Sequence, residues 1–419
     1  MLIHSASQLI TMSGGPQRGH ELGVLHILED AAVLIRAGRI EEIGKTSTLI
    51  YKYPNEDRVD TRGNAVLPGF IDPHTHLVWA GDRAAEFEMR LQGKTYMEIM
   101  NAGGGIASTV NATRGASKEE LLAQTRLRAR QMVRYGTTTA EAKSGYGLEL
   151  KAELAQLEVL LALDNEGPLE IVPTFLGAHA IPPEYAGRTA EYVALVCDQM
   201  LPALSSWWQS HAAGRPLPFV DVFCEKGVFD LEDSRRILAA AKKLGFPLKA
   251  HVDEFENLGG AGLAAKLRAV SIEHAVKTSP GEIKALGKSD TVIVSLPCTP
   301  FGLAEPQYSP VREMLAADCL LALATDLNPG TAWCESMQFV MALACRYLRL
   351  TPAQALAAAT INAAKAIGRD HLVGSIEVGK QADLIILSVP DYRHLGYRFG
   401  GNVVETVVKK GRIVNQETH

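Results

Sequence analysis

The sequence predicts a (β/α)8 TIM-type barrel with a small β-sandwich domain built from both chain termini. Three observations predict it. Between residues 66 and 325, eight short apolar runs alternate with amphipathic helical stretches. Polar residues gather at the C-terminal ends of those runs. Both ends of the chain, unlike its middle, alternate apolar and polar positions in the manner of strands.

Residues 1–64 form the first β segment. Ala32-Val-Leu-Ile-Arg-Ala-Gly-Arg-Ile-Glu-Glu-Ile-Gly44 reads as two short strands joined at Ala37-Gly38. Gly44-Lys-Thr46 is not read as a phosphate loop, because Gly38 stands one residue too far upstream and no helix is expected after it. The eight barrel strands are expected at 66–71, 137–142, 170–176, 219–224, 247–252, 269–274, 291–296 and 319–325. Helical patterns at 118–135, 149–166 and 231–244 separate them, the last with Asp230 as N-cap and Gly245 as stop. After the eighth strand, 335–348 and 351–368 read as helices, the second with Thr351 as cap and Pro352 in its first turn. From Gly374 the strand pattern returns in Ala382-Asp-Leu-Ile-Ile-Leu387, in 403–408 and, after a turn at Lys410-Gly411, in 412–414. The expected division is a composite sandwich of 1–64 with 372–419 beside a barrel of 65–371.

Bulk properties narrow the function. Of 419 residues, 47% are hydrophobic and 21% charged, as in an ordinary globular enzyme. A formal charge of −5 provides no basic field for nucleic acid and no polybasic membrane anchor. No apolar run approaches the roughly 18 residues of a membrane span. Met1-Leu-Ile-His-Ser-Ala lacks the Lys/Arg region of a secretory leader, so a cytoplasmic location is expected. The six scattered cysteines form no Cys-x-x-Cys and read as reduced, mostly buried thiols. A small-molecule substrate is the default, and the chain leaves its assembly open, a homodimer included.

The catalytic face of such a barrel is the C-terminal end of its strands. There the sequence places His74 and His76, Glu141, Lys143 and Tyr146, His179, Glu225, His251, Asp253 and Glu254, His274, then Asp326 and Asn328. In Leu67-Pro-Gly-Phe-Ile-Asp-Pro-His-Thr-His76, residues two apart on an extended chain share a side, so His74 and His76 can face one ion. Singly, such a pair is as compatible with solvent exposure as with ligation, His251 with a hydrogen-bonded core histidine, and Asp326 with turn formation. Their joint placement carries the reading of a mononuclear site with His74, His76, His251 and Asp326 as ligands. Nitrogen and oxygen donors suit one divalent zinc or iron ion per subunit. A metal lowers the pKa of its water to about 7, so hydrolysis is the expected chemistry. Glu254, His274 and Asp326 are the catalytic candidates: Glu254 to shuttle a proton, His274 to polarise the carbonyl or hold the water.

These residues resemble the amidohydrolase superfamily, with its strand-one His-x-His, strand-five and strand-six histidines and strand-eight aspartate. Ala382–Leu387 after Val378-Gly-Lys380 resembles the superfamily's returning strand. Within it the chain is similar, over nearly its whole length, to the imidazolonepropionase family of histidine degradation. The likeness rests on Ala80-Gly-Asp-Arg83, Gly103-Gly-Gly-Ile106, Glu141-Ala-Lys-Ser-Gly-Tyr-Gly-Leu148, Gly177-Ala-His-Ala180, Asp221-Val-Phe-Cys-Glu225, His251-Val-Asp-Glu-Phe255 and Ala324-Thr-Asp-Leu-Asn-Pro-Gly-Thr331.

The resemblance implies opening of 4-imidazolone-5-propanoate to N-formimidoyl-L-glutamate. It implies substrate contacts from Arg83, Tyr96, Tyr146, His179, Glu254, Asn328, Gly330 and Thr331, with Arg83 opposite the propanoate. Leu296-Pro-Cys-Thr-Pro300 departs from the glycine-containing loop expected after strand seven. Strand four ends in Cys224-Glu225, with Lys226 only beyond it, so a second metal on a modified lysine is not expected. The rivals are another cyclic amidase, a purine or pyrimidine aminohydrolase, and a non-catalytic barrel used for binding.

Overall fold

The computed structural model describes residues 1–94, 98 and 103–416. Among the described residues, eight parallel strands lie side by side in chain order: β1 (Phe70–Asp72), β2 (Thr137–Lys143), β3 (Glu170–Ala178), β4 (Phe219–Cys224), β5 (Lys249–Val252), β6 (Ser271–His274), β7 (Val292–Ser295) and β8 (Leu320–Leu323). Val-Ile-Val-Ser in β7 and Leu-Leu-Ala-Leu in β8 are buried throughout, which is why such strands read as unbroken apolar runs.

The seam between β8 and β1 closes just beyond the strands. Asp72 accepts the Thr325 N–H at 3.1 Å and its hydroxyl at 2.5 Å. The Asp326 N–H donates to the His74 carbonyl at 3.2 Å, and the His76 N–H to the Leu327 carbonyl at 2.9 Å. Burial pushes the Asp72 carboxyl up to about 7 despite these bonds. This latch brings the strand-one histidines beside Asp326.

The expected first strand, 66–71, is two strands. Val66–Pro68 pairs antiparallel with Leu384–Leu387 and touches Leu9–Ile10, while β1 opens the barrel. Gly69 makes the crossing possible, because a Cβ there would lie 2.4 Å from the Thr138 side chain. Both sheets bury the run equally, so the sequence pattern does not register the change of partner.

Val66–Pro68 thereby sits in a six-stranded sheet with Arg412–Gln416, Val404–Lys409, Leu384–Leu387, Leu9–Ile10 and Ile27–Leu28. A second sheet orders Arg39–Lys45, Ala31–Arg36, Leu2–Ala6 and Arg58–Asp60. Ile3, Leu9, Val33, Ile35, Val66, Leu384 and Ile386 pack between the two as one core, the sandwich expected from the termini. Its hairpins turn where expected: Ala37-Gly38 and Lys410-Gly411 all have positive φ, as such tight turns require. Lys409, paired with Asp383 at 2.6 Å within the sandwich, ties it to the barrel through Glu170 of β3 at 3.1 Å. Burial would raise Glu170, but Lys409, Gln381 and Lys410 bring it down to about 2.

The helix signals held locally. Asp230 caps Leu231–Lys243 by accepting the Glu232 and Asp233 N–H groups, and Thr351 with Gln354 forms a capping box. The single helix expected over 351–368 is two, Pro352–Ala358 and Ile361–Ala366, because the Ala359 carbonyl accepts the Ile71 N–H of β1 instead of continuing the helix. A short helix, Thr46–Lys52, also follows Lys45, where none was expected; the glycine spacing still excludes a phosphate loop. Among the described residues no helix is long and apolar enough to cross a membrane.

Candidate active site

The barrel gathers the expected ligands at its C-terminal end. His74 Nε2 lies 3.2 Å and His76 Nε2 3.6 Å from Asp326 Oδ1, and His251 Nε2 lies 3.4 Å from His76 Nε2. Ligand atoms of His74, His76 and Asp326 fall within 4.8 Å of one another, as do those of His74, His251 and His274. His74 belongs to both groups, and His274 joins His74 and His251 in the second.

A divalent cation fits this set. Both ring nitrogens of His74 and Nδ1 of His76 are buried without a hydrogen-bond partner, a state costing about 1–3 kcal/mol per group when nothing binds them. Burial first, then neighbouring cationic groups, holds His74, His76 and His274 well below the usual imidazole range, in the neutral form that ligates metal. Burial also pushes the Asp326 carboxyl up to about 6 although Thr299 donates to it at 2.5 Å; a bound cation would offset that cost. Thr299 comes from the departing loop after β7, which forms the helix Cys298–Leu303.

Groups beneath the candidate ligands hold them in place, although the sequence pattern assigns these groups no role. Asp221 of β4 lies 3.0 Å from His251 Nδ1 and accepts the His251 backbone N–H at 3.2 Å. Glu141 of β2 accepts the Thr75 N–H at 3.2 Å, and its carbonyl accepts the Thr75 hydroxyl at 2.7 Å, fixing the turn between His74 and His76. Lys143 bridges Glu141 and Asp221. Glu153 accepts the N–H groups of Gly145, Gly147 and Leu148, which shapes the Lys-Ser-Gly-Tyr-Gly-Leu loop that presents Tyr146.

Four non-glycine residues at the strand ends, Asp253, His274, Ala275 and Asp326, have φ between 53° and 68°. Left-handed backbone costs each roughly 1–3 kcal/mol and is held only by surrounding structure, a condition common at sites that aim particular groups. Among the groups so aimed, His274 Nε2 lies 3.5 Å from Glu254 Oε2. Burial, then Asp326 and Glu225, raises Glu254 well above the ordinary carboxylate range.

A cavity of about 230 Å³ opens beside this pair, lined by Glu254, Phe255, His274, Thr299 and Pro300. His179 stacks on His76 with ring centroids 4.8 Å apart, and its Nδ1 meets the Gly145 carbonyl at 3.0 Å. Burial, then His251, takes His179 down to about 3. The Tyr146 ring centroid lies 5.4 Å from that of His179, and burial keeps its phenol protonated.

Arg83 reaches the strand-eight loop: a Cβ on Gly330 would lie 2.2 Å from its guanidinium, so glycine is what admits the arginine. Arg83 is already paired with Glu86, which also accepts the Gly105 N–H at 2.8 Å. Glu86 was not singled out in the sequence, where Arg83 is followed by an ordinary helical pattern. Asn328 is committed to its own loop, accepting from Gly330 and Thr331 N–H at 2.8 Å each and donating to the Asp326 carbonyl and the Thr331 hydroxyl. With all its polar capacity used, it offers a shaped loop rather than a free amide. Tyr96 lies outside the described residues.

Comparison with known proteins agrees with this architecture. The amidohydrolase family pattern matches residues 235–414. The chain is 52% identical over 415 residues to imidazolonepropionase of Herpetosiphon aurantiacus, covering 99% of this chain and 97% of that protein. It is 49% identical to imidazolonepropionase of Chloroflexus aggregans, covering 99% and 98%. Among solved structures, E. coli guanine deaminase superposes with a TM-score of 0.73 at 17% identity, covering 100% of this chain and 99% of that one. An adenosine deaminase from Xanthomonas campestris with bound zinc superposes with a TM-score of 0.70 at 20% identity, covering 98% and 92%. The deaminases share the fold; the relatives alike along nearly the full chain share the family, and the chain belongs to the imidazolonepropionase family of amidohydrolases.

Proposed function

We propose that the protein adds water across the ring amide of 4-imidazolone-5-propanoate, giving N-formimidoyl-L-glutamate in histidine degradation. The observation that carries this reading is the buried His74, His76, His251 and Asp326 cluster with an arginine held at the rim of the same face. One zinc or iron ion would be held by those four residues. When bound, it supplies Lewis acidity and acidifies water to a pKa of about 7. A single ion is favoured because the acids in and just after β4 are engaged elsewhere: Asp221 with His251 and Lys143, Glu225 with the N–H groups of Phe255, Glu256 and Lys226.

In this reading the water oxygen bonds to the amide carbon and the ring C–N bond breaks. Glu254 takes the proton of the attacking water and passes it to the departing ring nitrogen, the work to which a raised carboxyl is suited. His274 holds the carbonyl under attack. Asp326 is the third candidate for proton transfer. Tyr146 and His179 hydrogen-bond the heterocycle, and Arg83 turns from Glu86 to share the propanoate, with Gly330 and Thr331 forming the wall behind it and Tyr96 a further contact. The barrel unit of residues 65–371 carries the chemistry, buttressed by 1–64 with 372–419. A cytoplasmic enzyme, acting as a homodimer on a small anionic heterocycle without nucleic-acid or membrane partners, is the setting we propose.

Arg83 separates this reading from a purine or pyrimidine aminohydrolase, since a neutral base needs no guanidinium. Arg83→Ala is expected to raise KM for the imidazolone propanoate by roughly 10- to 100-fold, the loss of charge-assisted hydrogen bonds worth about 1.5–3 kcal/mol. Steady-state kinetics on an imidazolone lacking the propanoate should show little change. Equal losses on both substrates would overturn the assignment.

A further inference from the structure

Lys143, the last residue of β2, is an ammonium fully enclosed by the barrel, 0% exposed, directly under the ligand cluster. Its Nζ donates to Glu141 Oε1 at 2.7 Å and to Asp221 Oδ2 at 2.9 Å. The same Asp221 oxygen lies 3.0 Å from His251 Nδ1, and the other accepts the N–H groups of Val222 at 2.7 Å and His251 at 3.2 Å. Close contacts thus run from Lys143 through Asp221 to the outer nitrogen of His251, the last an approach of 3.0 Å that is not aligned as a hydrogen bond.

We infer that Lys143 is a positioning residue for the metal centre: its ammonium keeps Asp221 aimed at His251 Nδ1, and so turns His251 Nε2 toward the ion. The inference rests on the proposed reading of His251 as a ligand. Two physical points support it. An isolated buried ammonium is expensive, so Lys143 persists here only with its two carboxylate partners. A carboxylate placed beside the outer nitrogen of a ligating histidine, as Asp221 is at 3.0 Å, can take that N–H once the ring ligates, and losing such a partner typically costs metal affinity. A lysine that served only to neutralise Glu141 within the core would affect stability and leave the ion's affinity alone.

The test is zinc affinity by chelator competition on the full chain, with unfolding of the metal-free protein followed in parallel. Lys143→Met and Asp221→Asn are each expected to weaken zinc binding by roughly 10- to 100-fold. The double variant should bind as Asp221→Asn alone does, because Lys143 acts through Asp221. Should Lys143→Met fail to fold, Lys143→Gln, which keeps N–H donors, reads the same quantity. Unchanged zinc affinity in a folded Lys143 variant, or losses that multiply in the double variant, would overturn the inference. His251→Ala serves as the reference: native zinc affinity there would instead remove the ligand reading on which the inference rests.

Discussion

Replacing His251 by alanine is expected to leave a folded barrel that retains little metal and almost no turnover. His251 groups with His74 and His274, its Nε2 lies 3.4 Å from His76 Nε2, and Asp221 lies 3.0 Å behind its ring. Alanine removes a donor and leaves Asp221 facing only Lys143, still a compensated charge, so the fold should survive. Without stoichiometric metal, both the acidified water and the polarised carbonyl are lost. Turnover should fall by roughly 10⁴-fold or more. Elemental analysis beside an activity assay reads both quantities, and the diagnostic result is that they fall together. A His251→Ala protein with full metal and full activity would mean that the centre lies elsewhere.

Changing Glu254 to glutamine is expected to separate these two quantities. Glu254 Oε2 sits 3.5 Å from His274 Nε2 on the cavity side and takes no part in the convergent ligand groups. Glutamine keeps the size and the hydrogen-bonding ability but cannot carry the proton. Metal content should match the unaltered protein while kcat falls by roughly 10²–10⁴-fold, the usual contribution of a positioned acid–base group. Metal loss in Glu254→Gln would make it a ligand, and retained kcat would move proton transfer to His274 or Asp326.

The barrel was legible because each β/α unit leaves the same mark, an apolar run followed by an amphipathic stretch with caps such as Asp230 and Thr351. The candidate ligands stood out because a polar residue ending a buried strand has few structural reasons to be there. What stayed hidden depends on pairing across space. The run at 66–71 serves two sheets with no change in its apolar pattern, and only the partners of Val66 and Phe70 reveal the crossing. Asp72 reads as a strand-ending Asp-Pro and turns out to latch Thr325 across the barrel seam. Asp221 and Lys143 look like ordinary members of a motif until the barrel sets them against each other and against His251. Arg83 was reached only through resemblance, and its partner Glu86 not at all, since an Arg–Glu pair three residues apart on a polar helix is common on surfaces.

The central claim is that this chain hydrolyses the imidazolone ring with a metal held by His74, His76, His251 and Asp326. The most direct measurement is turnover of 4-imidazolone-5-propanoate by protein purified without chelator, with elemental analysis of the same sample before and after metal removal. The expected result is about one zinc or iron ion per chain, formation of N-formimidoyl-L-glutamate, loss of activity on removal and its return on adding metal back. Full turnover by metal-free protein, or a metal-loaded protein that leaves the imidazolone intact, would contradict it.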